Sequence, residues 1–177
     1  LTVKVDSNLS LTANFSLNNY SLEIVGGTGG AVSGSGNFPY GTLAAISVVP
    51  ETGYSFNGWM GNGITDPDST STTVEMTENR IISASFSINR FSLKVLSSTG
   101  GSISGDGNFS HGSTPSITAT PDEGFYFMGW LGEGVDEPSA SMTSVLMTED
   151  RIATAIFSPN VYTLNLASSG SGEVLGE

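Results

Sequence analysis

The sequence predicts an all-β protein made of tandem copies of one small unit. The chain repeats with a period of 71 residues and no gap, and roughly 31 of the 71 positions in residues 20–90 are identical in residues 91–161. Within each copy, apolar residues alternate with polar ones, which is the pattern of half-buried strands. Turn residues separate these stretches, and no amphipathic helical period of useful length occurs.

The repeat divides the chain into four segments. Residues 20–90 and 91–161 are complete repeats, residues 1–19 match the last stretch of a preceding repeat, and residues 162–177 match the first quarter of a following one. We therefore expect the chain to be a window from a longer array. A unit of this size without cysteine has no disulfide to support its core, so the units are expected to stack on their neighbours as an extended array.

The alternation predicts about six short strands in each repeat. The clearest strand is the last one, because three apolar residues share one face there with mostly Ser, Thr and Asn between them. In chain order, the defining positions are Leu22 and Ile24 (recurring as Leu93 and Val95, and as Leu164 and Leu166), Ile46 and Val48 (Ile117 and Ala119), Val74 and Met76, and Ile82, Ala84 and Phe86 (Ala153, Ala155 and Phe157, and Leu11, Ala13 and Phe15).

Glycine and proline mark the turns between the strands. Gly29-Gly30 and the stretch 34–37 punctuate the first hairpin region. The stretch 50–53, Pro-Glu-Thr-Gly, predicts a tight turn, because proline presets φ and glycine supplies a positive φ. The stretch 61–71 predicts a longer loop that varies between the copies.

The charge balance excludes some partners. Five basic residues face seventeen acidic ones, for a net charge of −12. No basic stripe exists to displace counterions from phosphates, so nucleic acid is not an expected partner, and neither is an anionic membrane surface. No stretch reaches the length of a membrane span. An acidic surface suits solubility or divalent cations.

Trp59, which recurs as Trp130, allows two interpretations. Its indole face could stack on a sugar ring. Alternatively, each tryptophan anchors the core of its own repeat, as a unit this small needs a large buried side chain. The core interpretation is favoured, because each tryptophan lies within three residues of another recurring aromatic residue.

Four ring-bearing side chains near the Gly-Asn-Phe stretch are the candidate ligand-binding residues. They are Phe38 and Tyr40 in the first repeat and Phe109 and His111 in the second. We expect both phenylalanines to be exposed, and a turn-capping role is favoured over a ligand site. His111 is the only histidine, and since its counterpart is Tyr40, we expect it to be a surface residue.

Carboxylates in and around the variable loop are the candidate metal ligands, namely Asp66 and Asp68 in the first repeat and Asp136 and Glu137 in the second. Oxygen ligands of this kind suit calcium, although nothing matches the twelve-residue calcium-loop pattern. A solvated acidic surface is therefore favoured over a defined site, and no cofactor other than calcium is expected.

The sequence predicts no enzymatic activity. Without cysteine there is neither a thiol nucleophile nor a histidine–cysteine metal site. No serine has a histidine partner in a recurring arrangement, and the paired carboxylates lie in loops that differ between the copies. The recurring pairs Glu78/Arg80 and Glu149/Arg151 are interpreted as structural ion pairs or inter-repeat contacts, which contribute little if exposed.

One run of motifs resembles a known family. Residues 53–59 read Gly-Tyr-Ser-Phe-Asn-Gly-Trp and residues 124–130 read Gly-Phe-Tyr-Phe-Met-Gly-Trp. Each is followed by Met-Thr-Glu-Asn/Asp-Arg and by Ala-x-Phe, which ends at Phe86 or Phe157. This order, extending over essentially the whole chain, is similar to the divergent branch of the internalin B-type bacterial repeats, which occur in tandem in large exported and surface proteins.

The resemblance implies a small β-grasp-like or related β unit, placement at the bacterial cell surface, and a spacer or adhesive role, without a catalytic set. We therefore expect stalk repeats of a large exported protein, an adhesin, with the neighbouring repeats as partners. Two alternatives stay open. One is a module that binds extracellular glycans, cell-surface proteins or calcium and gains avidity from repetition. The other is a subunit that self-assembles into filaments through unpaired strands.

Overall fold

The structure, a computed structural model, describes residues 4–167 and 169–170. These residues form strands, turns and loops, which confirms the all-β fold class. The chain divides into two compact units, Leu1–Ile88 and Asn89–Glu177. Each unit holds one of the two repeats, except that residues 89–90 of the first repeat fall in the second unit. No helix of a length and apolarity suited to crossing a membrane is found in the described part of the chain.

Each unit contains seven strands, one more than the alternation predicts. In each unit, two of these strands are only four residues long and lie between the glycines of the first hairpin region, so they are too short to show an alternating apolar pattern. The first unit contains β1 (Asn19–Val25), β2 (Gly30–Ser33), β3 (Gly36–Pro39), β4 (Thr42–Pro50), β5 (Tyr54–Met60), β6 (Ser71–Met76) and β7 (Arg80–Ile88). The second contains β8 (Arg90–Ser97), β9 (Gly101–Ser104), β10 (Gly107–Ser110), β11 (Ser116–Pro121), β12 (Phe125–Leu131), β13 (Met142–Ser144) and β14 (Arg151–Pro159).

Successive strands alternate between two sheets. In the first unit, the odd-numbered strands form a four-stranded sheet in the order β3-β1-β7-β5, and the even-numbered strands form a three-stranded sheet in the order β2-β4-β6. The second unit has the same arrangement, with β10-β8-β14-β12 and β13-β11-β9. Every hydrogen-bonded partner of β6 and β7 lies in their own unit, so the folded domain follows the register of the sequence repeat.

The first and last strands of each unit are parallel neighbours at the centre of the four-stranded sheet. Leu22 pairs with Arg80 and Val25 with Ser83 in the first unit, and the second unit pairs β8 with β14 in the same way. The outer strands of this sheet are antiparallel to the central ones. This order resembles a β-grasp sheet, as the family resemblance implies, with the three-stranded sheet packed on one face.

The core of each unit lies between its two sheets. The inward faces predicted by the alternation are confirmed, because the positions at Leu22, Ile46, Val74 and Ile82 are all buried and belong to one cluster. The second unit buries the equivalent set, Leu93, Ile117, Val145 and Ala153. Trp59 and Trp130 are 4% and 3% exposed, which confirms that they are core residues.

Each tryptophan also holds the loop that follows it. The Trp59 indole Nε1 donates to the Ser69 carbonyl at 2.9 Å, and its backbone N–H donates to the Pro67 carbonyl at 2.8 Å. In the second repeat, Trp130 makes the same two bonds to Ala140 and Pro138. The predicted long loop is therefore residues 61–70, held against the core at its far end.

The strands predicted outside the two complete repeats are not formed. The segment that contains Leu11, Ala13 and Phe15 has no strand, and Phe15 is 94% exposed; Leu164 and Leu166 are likewise exposed in a segment without a strand. The physical reason is that a strand needs hydrogen-bonded neighbours. In the complete units β7 pairs with β1 and β5, and β1 pairs with β3 and β7. Among the described residues, no strand pairs with either end segment.

We expect Gly30→Ala to destabilise the first unit by about 1–3 kcal/mol, because the site is already filled. A Cβ at this position would overlap the Phe86 ring and lie 2.8 Å from the Val49 carbonyl oxygen. Gly27→Ala is the matched control, since its Cβ would approach only the Ala84 carbonyl oxygen, at 3.7 Å. Chemical unfolding of the whole chain measures both, and equal midpoints for the two variants would contradict the packing argument.

Candidate functional sites

The candidate ligand residues lie where β1 and β3, or β8 and β10, meet. The Tyr20 and Tyr40 rings have centroids 6.3 Å apart, and the Phe91 and His111 rings have centroids 6.1 Å apart. In both repeats the residue that carries the second ring donates its backbone N–H across the strand pair, Tyr40 to Asn18 and His111 to Asn89, each at 2.8 Å. An equivalent pair of neighbouring rings therefore occurs in both repeats.

The expectation that Phe38 and Phe109 are exposed is wrong. Both are half-buried and pack against the core of their own unit. They lie in strands β3 and β10 rather than in a turn, and Phe38 is paired with Tyr20 there, so strand alternation points each ring inward. His111 is half-buried, whereas Tyr40 is 55% exposed. Ligand binding by these four residues stays a prediction.

The candidate metal ligands lie in loops whose backbone N–H groups donate hydrogen bonds to nearby side-chain oxygens. The Asp66 carboxylate accepts the Asp68 backbone N–H at 3.1 Å, and Asp66 donates its N–H to the Thr72 hydroxyl at 3.1 Å. In the second repeat, Glu137 donates its N–H to Thr143 at 2.9 Å. No group of three or more His, Asp or Glu side chains is arranged to hold a metal ion in the part of the chain that is described. Calcium binding stays a prediction.

The Arg80 guanidinium is buried, which the sequence did not indicate. Its side chain is 9% exposed, while that of its partner Glu78 is 67% exposed. Arg80 donates through Nε to the Glu75 carbonyl at 2.7 Å, through Nη2 to the Thr77 hydroxyl at 2.8 Å and through Nη1 to Glu78 at 3.3 Å. The arginine therefore ties together the turn between β6 and β7, and its carboxylate partner is the least buried part of the cluster.

Arg151 forms a similar cluster with one more acid, although its Nε, unlike that of Arg80, has no hydrogen-bond partner among the described residues. Its guanidinium lies 3.2 Å from Glu133 and 3.2 Å from Glu149, and it donates to the Thr148 hydroxyl at 3.0 Å. In each loop a glycine, Gly63 or Gly134, comes directly before the residue that forms an isolated β-bridge with the next strand. A Cβ at Gly63 would lie 2.7 Å from Arg80 Cζ. All partners of both arginines belong to the arginine's own repeat.

A groove of about 490 Å³ lies beside Trp130 in the second repeat. Met128, Leu131, Pro138 and Ile156 contribute to its apolar lining. Sequence reasoning missed it, although the signal lay in the comparison of the two copies: Asn57 and Ser85 stand where Met128 and Ile156 stand. Two apolar residues of the lining are thus polar in the first repeat.

We expect Arg80→Met to destabilise the first unit by about 1–3 kcal/mol, because the largely buried guanidinium is removed and the Glu75 carbonyl and the Thr77 hydroxyl lose their donor. Glu78→Gln should change the free energy of unfolding by less than about 0.5 kcal/mol, because an exposed carboxylate is screened by water and salt. Urea unfolding of the two variants in the whole chain gives both values. The argument fails if Glu78→Gln costs as much as Arg80→Met.

Comparison with known proteins agrees with the repeat boundaries. Residues 20–90 and 91–161 each match the family model described as divergent InlB B-repeat domain. A protein of Evansella cellulosilytica, provisionally named a Gly-rich membrane protein, is 25% identical over 174 residues, which are 98% of this chain and 20% of that relative. No solved structure matches. With both of its complete seven-stranded repeats matched, the chain belongs to the divergent InlB B-repeat family.

Proposed function

We propose that these repeats are a structural spacer, or stalk, in a large exported bacterial surface or secreted protein, an adhesin, and that their role is not enzymatic. The observation that carries this proposal is that the two repeats share most of their buried residues. Among the large buried side chains, Ile82 is replaced by Ala153 and Val48 by Ala119, whereas most of the others are identical. These identities are Ile46 with Ile117, Trp59 with Trp130, Val74 with Val145, and Met76 with Met147.

The exposed chemistry differs between the same two repeats. Tyr40 is replaced by His111, and Asp68 by Ser139. At the groove, Asn57 is replaced by Met128. A repeated ligand site would have to keep the groups that contact its ligand, whereas a unit used for its fold needs only its core. This contrast supports the spacer.

Placement outside the cell rests on the relatives. The family is one of tandem repeats in exported and surface proteins, and the Evansella relative is named as a membrane protein. The net charge of −12 suits a chain that must stay soluble in many copies. The chain spans 20% of that relative, so the match extends to one part of the relative only.

A glycan-binding module is the second candidate, and one observation favours it. The ring pair of Tyr20 with Tyr40 recurs as Phe91 with His111 at the same place in the fold. Tyr40, at 55% exposed, presents a ring that could stack on a sugar. Repetition would then supply avidity.

A binding screen separates the two candidates. The 177-residue chain is tested on a glycan array and on insoluble polysaccharides, with calcium and with a chelator. The spacer predicts no saturable binding in either condition. The variant to compare is Tyr40→Ala with His111→Ala, because Phe38 and Phe109 pack against the core and their removal would confound binding with unfolding.

Each positive outcome has a distinct meaning. Saturable binding that this double variant abolishes, with its unfolding midpoint unchanged, would replace the spacer by a glycan-binding module. Calcium-dependent binding that survives the variant would move the site to the acidic loops. Concentration-dependent polymerisation of the unliganded chain in sedimentation would favour the filament subunit.

A further inference from the structure

The chain contains two Asn-Gly pairs, Asn57-Gly58 and Asn62-Gly63, both in the first repeat. We propose that Asn62 is a site of spontaneous deamidation, and that the carboxylate formed there pairs with Arg80. The inference does not depend on the spacer role, because it concerns the covalent chemistry of one loop.

The reaction needs no partner other than water. The backbone nitrogen of the residue after asparagine attacks the side-chain amide carbon, loses its proton, and expels ammonia to form a five-membered succinimide. Water then opens the ring at one of its two carbonyl groups, giving aspartate or isoaspartate. Glycine in the following position favours the attack, because it has no side chain to hinder the approach.

The two asparagines differ in their freedom to react. Asn62 and Gly63 are both exposed in the loop 61–70. Neither the Asn62 side chain nor the Gly63 N–H makes a hydrogen bond to another residue within the described chain, although the Gly63 carbonyl accepts from Glu75 at 2.8 Å. Asn57 instead lies in β5, its Oδ1 accepts from the Ser87 hydroxyl at 2.9 Å, and Gly58 is buried. The side chain and backbone at Asn62 can therefore reach the cyclisation geometry without breaking such contacts.

Arg80 favours both the reaction and its product. A Cβ built on Gly63 would lie 2.7 Å from Arg80 Cζ, so the guanidinium borders the attacking residue. A positive charge at this place stabilises the anionic nitrogen that attacks and the carboxylate that results. The other repeat shows that a carboxylate at this position can pair with the arginine: Glu133 stands at the position of Asn62, and its carboxylate lies 3.2 Å from Arg151.

The first test is a peptide map of the whole chain after incubation at mildly alkaline pH. Chymotrypsin cleaves after Trp59 and separates the two asparagines, and tandem mass spectrometry reports the amide-to-acid mass change at each. We expect Asn62 to convert at least about tenfold faster than Asn57, the factor given by about 1.4 kcal/mol of local opening at Asn57. Comparable rates at both sites, or conversion at Asn57 alone, would overturn the proposal.

The second test concerns the pairing with Arg80. Asn62→Asp should leave the unfolding midpoint of the first unit unchanged or raised at low salt, and any rise should shrink at high salt. A lowered midpoint would show that the carboxylate is not accommodated. Asn62→Gln is the control for the chemistry, since its longer side chain cyclises more slowly, and the acidic species that accumulates in the parent chain should be lost in this variant. Persistence of that species would place the modification elsewhere.

Discussion

The parallel pairing of the first and last strands is the constraint on which each repeat depends. β1 and β7 lie at opposite ends of the 71-residue period and meet at the centre of the four-stranded sheet. Parallel strands need a long connection between them, and here that connection contains the other five strands. The sheet is therefore complete only when the whole period is present. The same constraint explains why the end segments around Leu11 and Leu164 carry the right alternation and yet form no strand.

A tryptophan and an arginine hold the loop between β5 and β6 and the turn after β6, whereas the exposed residues of the loop differ between the repeats. The tryptophan holds one part of the loop through two hydrogen bonds, and the arginine holds the neighbouring turn through a backbone carbonyl and a threonine hydroxyl. The two tryptophan bonds and the arginine–threonine bond recur in the second repeat. The residues between these contacts change from Asp68 to Ser139 and from Asn62 to Glu133. A structural unit needs to keep the contacts that hold its fold. Its surface residues can vary, because surface substitutions change the free energy of unfolding little.

Much of this fold could be predicted from the sequence, and the failures have physical causes. The alternation around Ile46, Val74 and Ile82 locates strands because each has one buried and one exposed face. The burial of Phe38 was missed because its Gly-Asn neighbours are typical of a turn, and only pairing with Tyr20 makes it a strand residue. Similarly, Glu78 and Arg80 are visible as a pair, but the burial of the guanidinium depends on Glu75, Thr77 and Gly63 closing around it. Predicting the groove beside Trp130 would have required comparing the two copies residue by residue, because no motif marks it.

The arrangement of the two central strands has a mechanical consequence for a protein joined end to end in tandem. β1 is the entry strand of the repeat, β7 is its exit strand, and the two run parallel, with Leu22 to Val25 beside Arg80 to Ser83. Tension applied along the chain therefore pulls these strands past each other along their own axes. Their hydrogen bonds are then loaded together in shear, and cannot open one at a time as they would in a hairpin pulled apart at its ends. A chain of such units would carry load at the innermost strand pair of each four-stranded sheet.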